Sequence, residues 1–303
     1  MEYIDKLNSP LATEAHELLN RFLNRCDKGG FAAHDDLYAL LKSDKEPDAP
    51  SSNTTYRSLR RLLLSENESR CCYCMRRLDE EKTTLEHVIP NKTPSQEDYN
   101  NYQPFYKEGL WQKLVFAKAF LLHHMWPGTA YPHTVAYENL LPSCDGKFAK
   151  VTTSECHARD NRVSKCCNNF RGEKFVIPFV LNAQMVSEFR YKSNGMVVWP
   201  VRSDVVGDLR MELLLQHKET IDKLGLNCAE LVAIRRIWFF LSALQRDCVP
   251  TEKERTILYL LEDKNLTNPE KAMLENFWSD NYWDLLSDFR YFKDHTKFAD
   301  NPS

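Results

Sequence analysis

The sequence lacks any run of about 18 apolar residues, which is the length that a membrane-spanning helix needs. Its first residues, "MEYIDKLNSPLATEAHELLN", carry acidic side chains early and lack a basic start followed by an apolar core. We therefore expect neither a signal peptide nor a transmembrane helix, and we expect a cytoplasmic protein with no membrane partner. Internal repeats and low-complexity segments are also absent.

The chain also lacks an excess of positive charge. Its 303 residues carry a formal net charge of -3, and 43% hydrophobic with 27% charged residues is ordinary for a globular protein. This balance excludes a protein that coats nucleic acid through bulk attraction, so any such binding must be local. Two stretches have a local excess of basic residues, 56–77 and 140–175, and both border cysteine motifs.

Cysteine is the residue type that the chain has in unusual number and pattern. Five of the ten cysteines lie in adjacent pairs or a Cys-x-x-Cys spacing, at 71, 72 and 74 and at 166 and 167, which favours metal binding in a reducing compartment over disulfides. Cys71 and Cys74 can direct two thiolates at one tetrahedral ion. Cys144 and either Cys166 or Cys167 can supply the second pair, because a longer intervening loop costs little extra closure entropy. The alternative is that these are buried free thiols.

A further possible ligand pair, Cys156 and His157, lies in the intervening loop. We interpret these two residues as part of a loop that contacts a substrate or a partner, and a second metal ion there is the alternative. The cysteines at 71–74 and those at 144–167 each border a basic stretch. This arrangement favours one four-cysteine zinc site, built from both groups, over isolated thiols.

Hydrophobic periodicity predicts the main local elements. We expect a helix over residues 11–25 and another that Thr54 or Thr55 caps and that continues to Leu64. The segment 84–89 is typical of a short strand that ends at Pro90. The segment 110–126 is typical of a buried helix. Ser193, Asn194 and Gly195 separate two strand-like runs and indicate a hairpin, after which the pattern is helical to the end.

Glu86 and His87 stand side by side at the end of the predicted strand. Neighbouring side chains on a strand point to opposite faces. Glu86 and His87 can therefore reach one ion and one water only at a strand end, where the backbone turns. Pro90 marks such an end. An isolated histidine after an apolar strand is more often a packed or surface residue. The surrounding motifs favour the catalytic interpretation.

Four motifs in this order, "CCYCMRRL", "LEHVIPNK", "YENLLPSC" and "CCNNFRGEKF", resemble the HNH endonucleases. With "TIDKLGLNCAELVAIRR" added, the chain is similar to the PtuB-like HNH component of bacterial Septu-type and retron-associated antiphage systems. The resemblance covers 71–178 well and 217–240 moderately. It implies an α+β fold, in which a mainly helical chain carries a ββα-metal (HNH) core with a zinc knuckle.

The resemblance divides the chain into three regions. Residues 1–68 are expected to form an N-terminal helical region. Residues 69–180 are expected to form the nuclease core with its four-cysteine zinc site and inserted loops. Residues 181–303 are expected to form a hairpin and a helical C-terminal region. The last region ends in an acidic, Trp- and Phe-rich segment from Pro250. It is either a docking surface for a partner or simply a larger core.

The resemblance also implies a role for each site residue. His87 is the general base, and Glu86 is a ligand of a catalytic Mg²⁺ or Mn²⁺. Asn139 fixes a loop and orients the histidine, and Asn168 completes the metal site, which makes this an HNN variant. The structural zinc ligands are Cys71, Cys74, Cys144 and Cys167. Four basic residues can bind flanking phosphates: Arg76, Arg77, Arg171 and Lys174.

The function that this resemblance implies is a metal-dependent endonuclease acting as the effector of an antiphage complex, with DNA as the favoured substrate. Its expected partner is an ABC or SMC-like ATPase (PtuA-like), and in a retron complex also a reverse transcriptase with its msDNA. One alternative is cleavage of RNA such as tRNA. The other is a non-catalytic, zinc-stabilised adaptor that binds nucleic acid or a partner.

Overall fold

A computed structural model describes residues 1–28, 36–45, 54–91, 100–115, 130–146 and 166–228, with positions 231, 232, 234–236, 238 and 271. Three predicted features lie outside these residues: most of the segment 110–126, the loop with Cys156 and His157, and the helices and acidic segment beyond residue 238.

Seven α-helices and six short strands are described. In chain order they are α1 (Ala12–Lys28), α2 (Leu37–Ser43), α3 (Thr55–Glu66), β1 (Thr83–His87), α4 (Glu108–Trp111), β2 (Leu114–Val115), β3 (Tyr131–Pro132), β4 (Leu140–Cys144), α5 (Cys167–Arg171), α6 (Ala183–Glu188), β5 (Arg190–Tyr191), β6 (Val197–Val198) and α7 (Gly207–Lys223). Short 3₁₀ helices cover Gln103–Phe105, Tyr137–Asn139 and Phe179–Leu181. This mixture of helices and short strands agrees with the expected α+β class.

The predictions for the N-terminal helices are confirmed. α1 covers the predicted segment and buries the apolar stripe that includes Leu18, Leu19 and Phe22. Thr54 is the N-cap of α3, where its side chain accepts a hydrogen bond from the Arg57 N–H over 3.2 Å. α3 contacts α1 and α2 on one side and β1 and β4 on the other, so it joins the N-terminal helices to the sheet.

β1 and β4 form the antiparallel pair that positions the site. Their register pairs Thr83 with Cys144 and His87 with Leu140. α5 contacts β4 directly, so the two strands and this short helix lie together. The end of β1 that carries His87 therefore lies beside the start of β4, and the Cys144 end of β4 lies near α5.

The predicted helix over 110–126 is wrong in its described part. The chain forms only one turn of helix, α4, and then the strand β2, which pairs in parallel with β3. The Tyr131 N–H donates to the Lys113 carbonyl over 2.8 Å, and the His133 N–H donates to the Val115 carbonyl over 3.0 Å. Pairing with a distant segment therefore replaces the local helical hydrogen bonds that the apolar pattern predicted.

The predicted hairpin is confirmed as β5 and β6. The Gly195 N–H donates to the Lys192 carbonyl over 2.9 Å, and Gly195 has a left-handed φ of 82°. A side chain at this position would also meet the Val232 carbonyl, because a built Cβ lies 2.1 Å from that oxygen. Glycine is therefore required at this turn for both conformation and space.

Buried apolar side chains from all three predicted regions join one cluster, which extends from Met1 to Trp238. The Ile4 N–H donates to the Val180 carbonyl over 2.8 Å, so the first residues pack beside the 3₁₀ helix at Phe179–Leu181. The three-region division stays a prediction. Among the helices described, none combines the length and apolar character that crossing a membrane requires.

Candidate active site and metal centre

A tight turn after α3 brings the first two cysteines of the metal centre together. The Cys71 N–H donates to the Arg76 carbonyl over 2.8 Å, and the Met75 N–H donates to the Cys71 carbonyl over 2.9 Å. Met75 closes the turn in a left-handed conformation with φ of 62°. The Cys72 N–H donates to the Pro142 carbonyl over 2.9 Å, which fastens the turn to β4.

Four buried cysteines converge at one point, and they are the expected set: Cys71, Cys74, Cys144 and Cys167. Their sulfur atoms all lie within 4.8 Å of one another. The Sγ–Sγ distance is 3.7 Å between Cys71 and Cys167 and 3.9 Å between Cys74 and Cys144. Four sulfurs bound tetrahedrally to zinc at about 2.3 Å lie about 3.8 Å apart. The cluster can therefore hold a metal ion, and its donors and spacing fit zinc.

The structure resolves the choice between Cys166 and Cys167. Cys167 begins α5 with a left-handed φ of 57°, and its N–H donates to the Leu224 carbonyl over 2.7 Å. This backbone brings the Cys167 thiol into the cluster. The Cys166 sulfur lies 3.9 Å from that of Cys144 but is not one of the four that converge.

Arg76 lies beside the cysteine cluster and not at the surface. It is buried, and its guanidinium lies 3.4 Å from the Asp145 carboxylate. Burial lowers the pKa of Arg76, but the neighbouring Cys144 and Cys74 thiolates outweigh this and raise it. The expected phosphate contact is therefore not available to Arg76, because its charge offsets that of the thiolates. Arg77, the next residue, is exposed.

His87 ends β1, and its tautomer follows from one hydrogen bond. Its Nε2 lies 2.8 Å from the Thr134 carbonyl oxygen, which can only accept, so Nε2 carries the proton and Nδ1 keeps a lone pair. Burial lowers the pKa of His87 to about 3, although the Thr134 bond opposes the shift. The Tyr38 ring packs edge-on at 4.4 Å between centroids. The result is a neutral imidazole in a fixed orientation.

Asn139 is buried and joins two backbone segments beside His87 through its side-chain amide. Its Oδ1 accepts from the Ile89 N–H over 2.7 Å, and its Nδ2 donates to the Ile89 carbonyl over 2.9 Å and to the His133 carbonyl over 2.7 Å. The side chain thus ties the segment after His87 to the segment that carries Thr134. Thr134, whose carbonyl binds the His87 ring, is the residue after His133, and the orienting role expected of Asn139 stays a prediction.

Glu86 lies in a buried ion pair with Arg171, and the two side chains are only 2% and 1% exposed. Arg171 also donates to the His87 carbonyl over 2.8 Å and to the Val88 carbonyl over 2.5 Å. The Tyr73 hydroxyl donates to Glu86 Oε1 over 2.9 Å. Burial raises the pKa of the Glu86 carboxyl, and the bonds from Arg171 and Tyr73 oppose that rise.

This arrangement corrects the expectation that Arg171 binds a substrate phosphate. The guanidinium is enclosed, and its hydrogen bonds hold the end of β1 in place. Among the described residues, all hydrogen bonds to the Glu86 carboxylate reach Oε1. Its Oε2 therefore keeps lone pairs for a further ligand. Lys174 is also an expected phosphate contact, and it is exposed. Its ammonium lies 5.6 Å from the Phe170 ring centroid.

Glu86 and His87 line a cleft of about 350 Å³ together with Asn168. Asn168 lies on α5, and its Nδ2 donates to the Thr84 hydroxyl over 3.3 Å. Its Oδ1 makes no hydrogen bond to any residue in the described part of the chain. Residues with a carboxylate, an amide and a neutral imidazole therefore line one cleft, and carboxylate and amide oxygens are the hard donors that Mg²⁺ and Mn²⁺ prefer.

Sequence comparisons give no family assignment for this chain. No protein-family model matches it, and no curated protein sequence matches it. The resemblance of its motifs to HNH endonucleases therefore stays a prediction.

The two buried histidines near the cleft predict a loss of stability in mild acid. Burial lowers the pKa of His87 to about 3 and that of His133 to about 4, whereas an unfolded histidine titrates near 6.5. Below about pH 6.5 the unfolded chain binds protons that the folded chain does not, so the free energy of unfolding falls as the pH falls. Between pH 7.5 and 5 we expect a loss of about 2 kcal/mol for each histidine.

Denaturant unfolding at pH 7.5 and at pH 5 measures this loss. In the double variant His87→Asn/His133→Asn, whose amides do not titrate, the difference between the two pH values should shrink markedly. The metal content must be measured at each pH, because acid also protonates the thiols of the cluster. An equal pH dependence in the parent and the double variant, with metal retained in both, would contradict the assignment.

Proposed function

We propose that this protein is a metal-dependent endonuclease of the HNH type that hydrolyses phosphodiester bonds in nucleic acid, with DNA as the favoured substrate. The observation that carries the proposal is the environment of His87. Its neutral ring is oriented by the Thr134 carbonyl and lines the same cleft as Glu86 and Asn168. Imidazole beside hard oxygen donors is the combination that phosphodiester hydrolysis needs.

The tautomer of His87 leaves Nδ1 as the ring nitrogen that can accept a proton. As a water oxygen forms its bond to phosphorus and the bond from phosphorus to the leaving sugar oxygen breaks, Nδ1 can take the proton that the water releases, while Nε2 keeps its own proton on the Thr134 carbonyl. The leaving oxygen takes up a proton from solvent. A divalent cation held by Glu86 and Asn168 would supply positive charge beside the phosphate oxygens. Arg171 keeps the Glu86 carboxylate in position and holds the His87 backbone.

Zinc in the four-cysteine cluster is proposed as the structural metal of this site. Four thiolates leave no open coordination position, so the ion takes no part in hydrolysis. The cluster joins the Cys71–Cys74 turn, the end of β4 and the start of α5. A metal ion there would fasten these three elements to one another in addition to the apolar core that they share.

Cleavage of plasmid DNA, single-stranded DNA and total tRNA, each with Mg²⁺, with Mn²⁺ or without an added divalent ion, tests the proposal. Asn168→Ala should lower activity at least about tenfold and raise the metal concentration needed for half-maximal activity, because a metal ligand is lost. Asn169→Ala is the matched control, since Asn169 is the exposed neighbour and does not line the cleft. Equal activity of the two variants would contradict the metal-binding role, and tRNA cleavage without DNA cleavage would identify an RNA nuclease.

We further propose that the protein acts as the effector of a bacterial antiphage complex with an ABC or SMC-like ATPase, and in a retron complex with a reverse transcriptase. The motif resemblance supports this role. Co-purification of the chain with a co-expressed ATPase of this class, and cleavage that depends on the ATPase, are the expected results.

A second candidate is a non-catalytic adaptor that binds nucleic acid or a partner. The ion pair between Glu86 and Arg171 favours it, because an arginine already neutralises the carboxylate. In that case the zinc frame is retained for structure alone. Absence of metal-dependent cleavage in the activated complex, with zinc bound and the fold intact, would favour the adaptor.

A further inference from the structure

One wall of the cleft comes from the N-terminal helices, which lie outside the HNH-like motifs. Tyr38 and Lys42 on α2 and Tyr56 on α3 line it. The Lys42 ammonium lies 4.1 Å from the centroid of the Tyr38 ring and 5.8 Å from that of Tyr56. Since the Tyr38 ring also packs edge-on against His87, a single ring separates this ammonium from the imidazole.

Lys42 is the basic side chain of the cleft. Among the described residues that line it, no other lysine or arginine is present. Lys42 is exposed and forms no ion pair within the described ranges. The neighbouring arginines of α3 differ, because Arg57 and Arg61 both bind the Glu80 carboxylate. The charge of Lys42 is therefore available to a ligand in the cleft.

A nucleic acid in this cleft needs a cation near the backbone. Two of the arginines expected to supply it, Arg76 and Arg171, are buried and already paired. An ammonium is a compact charge with three donors and suits phosphate oxygens. A lysine whose ammonium rests on aromatic rings also has a restricted position, which lowers the entropy lost when it binds.

We propose that Lys42 binds a backbone phosphate of the nucleic acid beside the scissile bond, and that Tyr38 and Tyr56 hold its ammonium there. The two rings contact each other edge to face at 6.0 Å between centroids, so they form one support. The helices α2 and α3 are then part of the substrate site as well as a scaffold. This inference rests on the proposed nuclease function and names a substrate contact within it.

Binding in the absence of cleavage provides the test. On a His87→Ala background and without added Mg²⁺ or Mn²⁺, we would measure the Kd of a fluorescein-labelled single-stranded DNA and of an RNA with the same sequence across a salt series. Lys42→Gln should weaken binding several-fold and reduce the salt slope by about 0.7, which corresponds to one lost phosphate contact. Lys42→Arg should restore both. Lys192→Gln, an exposed lysine on the β5–β6 turn, is the matched control and should match the parent.

Steady-state kinetics on the native His87 background separate this inference from the nuclease proposal. Lys42→Gln should raise KM more than it lowers kcat, as expected for a ground-state phosphate contact. Active parent protein with an unchanged KM and salt slope in Lys42→Gln would overturn the phosphate site alone. Inactive parent protein with weakened binding in Lys42→Gln would overturn the nuclease and retain the phosphate site. Failure of the parent to bind either oligonucleotide would overturn the phosphate site.

Discussion

Replacement of His87 with alanine is expected to abolish cleavage of nucleic acid while the protein keeps its zinc and its fold. The variant removes the imidazole of His87, which is the histidine among the described residues that line the cleft, and with it the Nδ1 atom proposed to take a proton from water. General-base catalysis typically contributes about 10²- to 10⁴-fold in rate, so the variant should lose at least about 100-fold in kcat. Initial rates on the preferred substrate, with zinc content and thermal unfolding measured in parallel, check this expectation.

His217 provides a matched control for that variant. It is also a buried histidine with a ring nitrogen on a backbone carbonyl, because its Nδ1 lies 3.2 Å from the Trp199 oxygen, but it does not line the cleft. His217→Ala should therefore retain kcat. Added imidazole should restore part of the activity of His87→Ala, since the deleted ring leaves space for it. Parent-like cleavage by His87→Ala would exclude His87 as the base.

The second large effect is expected from Cys167→Ser, which should lose the structural metal and the cooperative unfolding transition. A serine hydroxyl cannot replace a thiolate at zinc, and structural zinc contributes about 10 kcal/mol or more to small zinc domains. A whole domain is usually stable by only about 5–15 kcal/mol. Zinc per chain and thermal unfolding should therefore fall together, and a chelator should give the same result with the parent protein.

Cys166→Ser is the control, because Cys166 is equally buried and adjacent in sequence but lies outside the converging set. It should keep the metal and most of the stability. Loss of zinc in Cys166→Ser but not in Cys167→Ser would reverse the ligand assignment. Retention of full zinc in both variants would rule out a four-cysteine site that includes either residue.

Several local features could be predicted because their causes lie within a few residues. Thr54 caps α3 through a hydroxyl that reaches an N–H three positions ahead. Gly195 marks the hairpin, and the apolar spacing marks α1. The Cys71 and Cys74 pair also follows from spacing, since a Cys-x-x-Cys turn places both thiols on one ion.

Other features depend on contacts between distant parts of the chain. Thr134, which orients His87, is 47 positions away, and Arg171, which binds Glu86, is 85 positions away. Neither contact has a spacing or residue pattern that marks it. The phosphate contact expected for Arg171 and the described part of the helix expected over 110–126 are wrong for the same reason, because long-range pairing outweighs local preference.

The amino-acid sequence by itself determined the α1 and α3 helices, the hairpin and the candidate donors of the metal centre, because backbone propensity, capping and ligand spacing act over short distances. Only the tertiary structure decided that Cys167 and not Cys166 joins the cluster, since the left-handed backbone at Cys167 places its thiol there. It also decided that Arg171 is enclosed and that Lys42 reaches the cleft. Burial and charge neutralisation depend on which distant side chains surround a group, and that is set when the chain packs.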